Sequence, residues 1–190
     1  MYYKNQIDQD MELNEYYKGV YATPQAGIAG EDGTGMNGVQ HLLKAGVDLG
    51  TINSIDIGTL NASTIFDQIE AFTDEISEVY QNVKMNMFMS RHWLKKYLQD
   101  KHVQSFYQKF SEKDIDSGID FTPLNVIGLA SMVGTEDIFC TPAQNFLHVA
   151  PATITKNSFK FEEVKRAVVV MADWVEGLGF GINQVVWINI

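Results

Sequence analysis

The sequence predicts an α+β fold with a mixed, largely antiparallel sheet flanked by helices. Three observations carry this. One central stretch has a helical period, the stretch behind it alternates as a strand does, and the last third breaks into short apolar runs separated by turn residues. Helices in the middle with strands gathered late segregate the two kinds of element, which marks α+β rather than alternating β-α units.

Each element has its own signal. Residues 1–20 are polar and tyrosine-rich with poor periodicity, and read as the tail of a preceding helix or a disordered start. Residues 21–38 carry five glycines and one proline and read as loop. A short helix is expected at Val39–Lys44, closed by Gly46. Residues 47–60 read as loop with one short strand. Apolar residues then fall at Ile65, Ile69, Phe72, Ile76, Val79 and Tyr80, one face of a helix running to about Asn82, with Asn61 or Ser63 to cap its start. Asp67, Glu70, Asp74, Glu75 and Glu78 lie mostly off that face. The early acids suit the helix dipole and the later ones oppose it.

From Val83 to Met89 the chain alternates, with Val83, Met85, Met87 and Met89 on one side, which predicts a strand. Ser90 then caps a second helix, Arg91 to Val103, with Trp93, Leu94, Tyr97 and Leu98 inward. Gln104 to Asp120 is polar and reads as loop. Short strands follow at Asn125–Ala130, Asp137–Thr141, Asn145–Val149, Phe159–Val164, Arg166–Trp174 and Leu178–Ile188. The expected organisation is a single domain over residues 21–190.

Composition bounds the function. The 190 residues are 45% apolar and 20% charged, which excludes wholesale disorder. The longest uncharged apolar run, Ala167–Ala172, is far short of a membrane span, and no basic-then-apolar leader opens the chain. One cysteine, Cys140, excludes an internal disulfide framework. The net charge of -10 lies wholly in residues 1–80, which hold 13 acids against 3 bases. Residues 81–190 hold 11 of each. That balance argues against a protein that tracks nucleic-acid phosphates. Arg91, Lys95 and Lys96 form the densest basic cluster, with Asp100 close behind.

Several constellations bear on chemistry. Gly33-Thr34-Gly35-Met36-Asn37-Gly38 spells G-x-G-x-x-G, whose glycines would let a pyrophosphate approach a helix N-terminus. The strand that should precede it is missing, and Asp56 has no clear strand to carry it, so a flexible loop competes with a nucleotide-binding enzyme. Asp114 to Asp120 resembles the start of a calcium loop but lacks the closing glutamate. His41, His92, His102 and His148 show no metal-ligand spacing. Cys140 sits in an apolar strand and reads as buried and structural. Gly177, Gly179 and Gly181 share one face of a strand, either to admit a ring such as Trp174 or Trp187 or to mark a bulge. No residue is expected to be catalytic, cofactor-binding or metal-ligating, and no cofactor is expected.

The order of segments resembles the C-terminal half of a tailed-bacteriophage major capsid protein, of the Hong-Kong-phage capsid fold. The matching pieces are the turn Gly30–Val39, the helix from Phe66-Asp67-Gln68-Ile69 to Tyr80-Gln81-Asn82, the strand end Phe88-Met89-Ser90-Arg91, the turn Ile138 to Leu147, and Arg166 to Gly177 followed by Gly179-Phe180-Gly181. Together they span about residues 21–188. The resemblance implies the axial domain of a coat subunit, packed around the axes of pentamers and hexamers in an icosahedral shell. It implies a structural virion protein that is no enzyme and acts by self-assembly. Its partners would be copies of itself and other phage head proteins, without specific nucleic-acid binding or a membrane. It would lie in the virion, and in the host cytoplasm before assembly. A whole coat protein also has an arm, an extended loop and a full spine helix, without which such a domain is not expected to close a shell. The alternatives are an encapsulin-type nanocompartment shell protein and the nucleotide-binding enzyme built on Gly33 to Gly38.

Overall fold

A computed structural model of the chain describes residues 2–23, 25–26, 28, 30–104, 118–151, 159–164, 166–172 and 175–189. Helix α1 (Tyr2–Asp10) widens into a π-helical turn at Met11–Glu15, where the Tyr16 amide donates back to the Met11 carbonyl. There follow α2 (Val39–Asp48), β1 (Asn53–Ile55), α3 (Ile65–Asp74), β2 (Met85–Ser90), α4 (Arg91–Gln104), β3 (Asn125–Leu129), β4 (Phe139–Pro142) and β5 (Phe146–Val149). The chain continues with β6 (Phe159–Val164), β7 (Ala167–Ala172), β8 (Gly177–Phe180) and β9 (Trp187–Asn189).

Five strands form the main sheet in the order β1-β9-β4-β2-β3. Its β9–β4 and β4–β2 pairs are antiparallel, while β1–β9 and β2–β3 are parallel. The pairs β5–β8 and β6–β7 form two antiparallel ribbons. Four of the six pairings among the described residues are therefore antiparallel, and the class is the mixed α+β that the segregated elements predicted.

The strand alternation has a direct physical meaning. Met85, Met87 and Met89 point to one face of β2 and pack against Ile65, Ile69 and Phe72 of α3 and Tyr97 of α4. Phe88 points to the other face, where Phe139, Ile188 and Tyr17 meet Val39 and Leu43 of α2. Both faces of the sheet are covered, so central strands are apolar on both sides. Full burial of such a side chain stabilises by roughly 1.5–3 kcal/mol. Ser90 does cap the second helix: its Oγ accepts the Trp93 amide at 3.3 Å.

Three expectations need correction. Helix α2, expected to end at Lys44, runs through Gly46 to Asp48, and Gly46 serves close packing: a Cβ there would lie 2.4 Å from Ile52 Cδ1. The turn follows at Gly50, whose φ of 67° is left-handed. The long middle helix stops at Asp74. Asp74, Glu75 and Glu78 oppose its dipole, and Gln81 Nε2 donates instead to the Ile76 carbonyl at 3.0 Å. Ile76 still enters the core, whereas Val79 is exposed. The strand expected at 178–188 is two strands, β8 and β9, parted by a 3-10 turn at Asn183–Val185. Asn145 holds that break open, accepting the Ile182 amide at 2.7 Å and donating to the Ile182 carbonyl at 2.8 Å. Residues 173–174 of the strand expected at Arg166–Trp174, and residues 105–117 of the expected loop, lie outside the described residues.

Candidate functional site

The G-x-G-x-x-G segment is the strongest chemical signal in the sequence, and the fold gives it a specific job. The loop does cradle an anion, and the anion is the protein's own. The Glu15 carboxylate accepts the amides of Gly33 at 3.0 Å, of Gly35 at 3.2 and 3.0 Å, and of Met36 at 3.3 Å. Four contacts from three consecutive-turn amides make a nest of the kind that recognises oxyanions. Gly33 has a φ of 81°, which suits glycine.

The helix that follows is equally engaged. Gly38 caps α2 without a side chain, its amide donating to the Gly19 carbonyl at 2.8 Å. The Val39 and Gln40 amides donate to the Tyr16 and Tyr17 carbonyls, each at 2.9 Å. Orphan carbonyls at the end of the first helical segment thus meet orphan amides at the start of α2. A helix N-terminus attracts phosphate because these donors are free. Here they are taken by backbone, and the glycine amides by Glu15. Asp56 accepts the Gly58 amide at 2.9 Å in a local turn instead. The segment is loop, as expected, and the amides of Gly33, Gly35 and Gly38 are hydrogen-bonded within the fold.

Glu15→Gln is expected to destabilise the fold by about 1–2 kcal/mol, because it removes charge-assisted contacts and turns an amide group toward N–H donors. Urea unfolding at neutral pH reads this directly. A loss below about 0.3 kcal/mol would mean that the nest contributes nothing.

The other candidates resolve residue by residue. Cys140 is buried at the centre of β4, opposite Met87 and Trp187, and burial pushes its thiol pKa up to about 12. It therefore stays protonated near neutral pH. Residues 114–117 of the calcium-like stretch lie outside the described residues. At its described end the Lys101 ammonium occupies the oxygens, donating to Gly118 O at 2.7 Å and pairing with Asp120 at 2.9 Å. His92 stacks edge-on against Trp93, and the exposed His148 lies 2.8 Å from the buried Glu176 carboxylate. Among the described residues no three His, Cys, Asp or Glu side chains converge to hold a metal, and no helix is long and apolar enough to cross a membrane.

Among the described residues no ring fills the glycine face of β8, and just past the strand a Cβ at Gly181 would lie 3.3 Å from Asn145 Oδ1. A Cβ at Gly177 or Gly179 would meet no described atom within 4 Å. Trp187 instead packs edge-on against Tyr80 in the core, and Trp174 lies outside the described residues. Sequence reasoning also missed three polar fasteners. Asp100 caps α3 from α4, accepting the Phe66 amide at 3.0 Å. Asp137 accepts from Tyr17 at 2.8 Å and Gln40 at 2.7 Å, and burial raises the Tyr17 pKa. Asn145 and Thr141 tie the Thr-Pro turn to residues 182 and 185. The Thr-Pro signature pointed to a turn, but nothing local indicates what its polar side chains hold.

The fold as a whole has a known counterpart. No protein-family model matches the chain, and no curated protein matches it in sequence. Among solved structures it is similar to a chain of "Satellite phage P4 procapsid including size determination (Sid) protein", with a TM-score of 0.56 and 10% identity over 98% of this chain. The fold is therefore phage-capsid-like. The match covers 60% of that chain, so this chain spans less than two thirds of its counterpart.

Proposed function

We propose that this chain is a structural protein of a phage head, the axial-domain part of a major capsid-type subunit that acts by self-assembly in an icosahedral shell. The observation that carries the reading is the likeness of nearly the whole chain to a procapsid chain. The resemblance of its segment order to tailed-phage coat proteins supports the same reading. The engagement of the glycine loop by Glu15 supports it further, since the donors a nucleotide would use already serve the fold. On this reading no residue is catalytic and no cofactor is bound. The partners are copies of the chain in pentamers and hexamers, together with other head proteins. Its places are the host cytoplasm before assembly and the virion after it.

Mass spectrometry of phage particles purified on a density gradient tests the assignment. Peptides of this chain should be among the most abundant in the head fraction. Their absence from intact heads of a phage that encodes the chain would refute it.

A further inference from the structure

The parallel pair β2–β3 has two chemically opposite ends. Both strands start beside a cavity of about 370 Å³ lined by Glu70, Asp74, Gln81, Asp120 and Phe121. Both finish beside the start of α4, where Arg91 and Lys95 are exposed. The six residues of β2 set these ends about 17 Å apart. Helix α4 runs back along the pair, as the ion pair of Lys101 with Asp120 at the first end shows.

The first end carries an unusual residue. Phe121 is fully exposed, with a left-handed φ of 62°. A bulky residue in that conformation is strained, and its ring gains nothing in water. Asparagine or glycine would make the same turn at less cost. Both penalties fall on the isolated chain, and burying the ring in a partner offsets them. The rim says what partner fits. Asp67 and Asp74 are exposed and Glu70 half-exposed along one stripe of α3, with Asp120 beside them and Lys101 the cation among them. Burial and then Asp67, Asp120 and Asp74 raise the Glu70 pKa. Lys101 pairs with Asp120 and offsets part of this charge, so the excess negative charge of the rim rests on Asp67, Glu70 and Asp74. At the opposite end, Arg91 and Lys95 have no carboxylate partner among the described residues.

We propose that the Phe121 end of one copy docks on the α4 end of a second copy, Phe121 serving as the apolar anchor and Glu70 and Asp74 facing Arg91 and Lys95 of its neighbour. Two different surfaces meet, so the contact is heterologous and propagates into a ring or a chain. It rests on the shell-subunit reading and specifies one interface within it. Charge complementarity of this kind sets register and partner choice.

Reciprocal charge reversal tests the contact. Sedimentation velocity at about 0.5 mM protein and low salt should show wild-type self-association that weakens as salt rises. Arg91→Glu with Lys95→Glu gives a chain with two acidic ends, and Glu70→Lys with Asp74→Lys gives one with two basic ends. Each should lose at least about tenfold in association constant, and mixing them should restore it to within about threefold. Phe121→Ser should weaken association without altering charge. Circular dichroism checks that each variant is folded, and the Phe121 variant stands independently if a charge variant is not. Association untouched by both reversals, or not restored by mixing, would overturn this contact and leave the shell reading intact. A wild-type chain that stays monomeric under these conditions would overturn the contact and remove support from self-assembly as well.

Discussion

Phe139→Ala should lower the unfolding free energy by about 4 kcal/mol, the range for emptying a fully buried aromatic site. Phe139 has no exposed surface, and four rings surround it. Phe88 stacks on it with centroids 4.8 Å apart, and Tyr17 with centroids 6.3 Å apart. Phe146 and Phe180 meet it edge-on at 6.4 and 6.2 Å. Those neighbours come from β2, from the chain just after the first helical segment, and from the ribbon β5–β8. One ring therefore joins the main sheet to two other parts of the fold. Offset and edge-on pairs add about 0.5–1.5 kcal/mol each beyond burial alone. Phe139→Leu keeps most of the volume and should lose less than half as much. Urea unfolding followed by circular dichroism measures both. A loss below about 1.5 kcal/mol for the alanine variant would show that the cluster is not a hub.

Gly38→Ala should cost about 3 kcal/mol although it adds one methyl group. Its φ of -74° is open to any residue, so backbone strain is not the cause. A Cβ there would stand 2.5 Å from the Tyr17 carbonyl oxygen, 2.6 Å from its carbon and 2.7 Å from the Glu15 carbonyl oxygen. All three atoms are backbone and cannot rotate away. Relief requires parting α2 from the segment before it, which breaks the Val39 and Gln40 amide bonds to Tyr16 and Tyr17. Gly177→Ala is the control. A Cβ there meets nothing described within 4 Å, and its cost should stay within about 0.5 kcal/mol. Equal losses at the two positions would mean that the junction is as loose as the sequence suggested.

What the sequence shows is what local periodicity and turn chemistry can encode. The methionine alternation placed β2, Ser90 placed the start of α4, and residues Phe159–Val164 read as the strand they form. Pairing is a different matter. β1 lies beside β9 across more than 130 residues, and no short-range pattern reports that Asn53 faces Trp187. The parallel β2–β3 pair escaped for a related reason. Its return passes through α4 and residues 105–117, and so it resembles a helix and a polar loop rather than a crossover. At the glycine motif the chemistry was legible and the partner was not. Three glycines at that spacing announce exposed amides, but Glu15 reaches them only because a π-helical turn ends the first helical segment beside the loop. The glycines of β8 show the converse. Their shared face was readable from period two, and that face opens outward among the described residues.

Electron microscopy of the gene product overproduced in bacteria tests self-assembly. Rings with fivefold or sixfold symmetry, or closed icosahedral particles, are expected, into whose density this fold docks around the symmetry axes. Their shells should hold no foreign enzyme as cargo. A protein that remains monomeric and featureless at every concentration, or whose particles contain density that this fold does not fit, would rule self-assembly out.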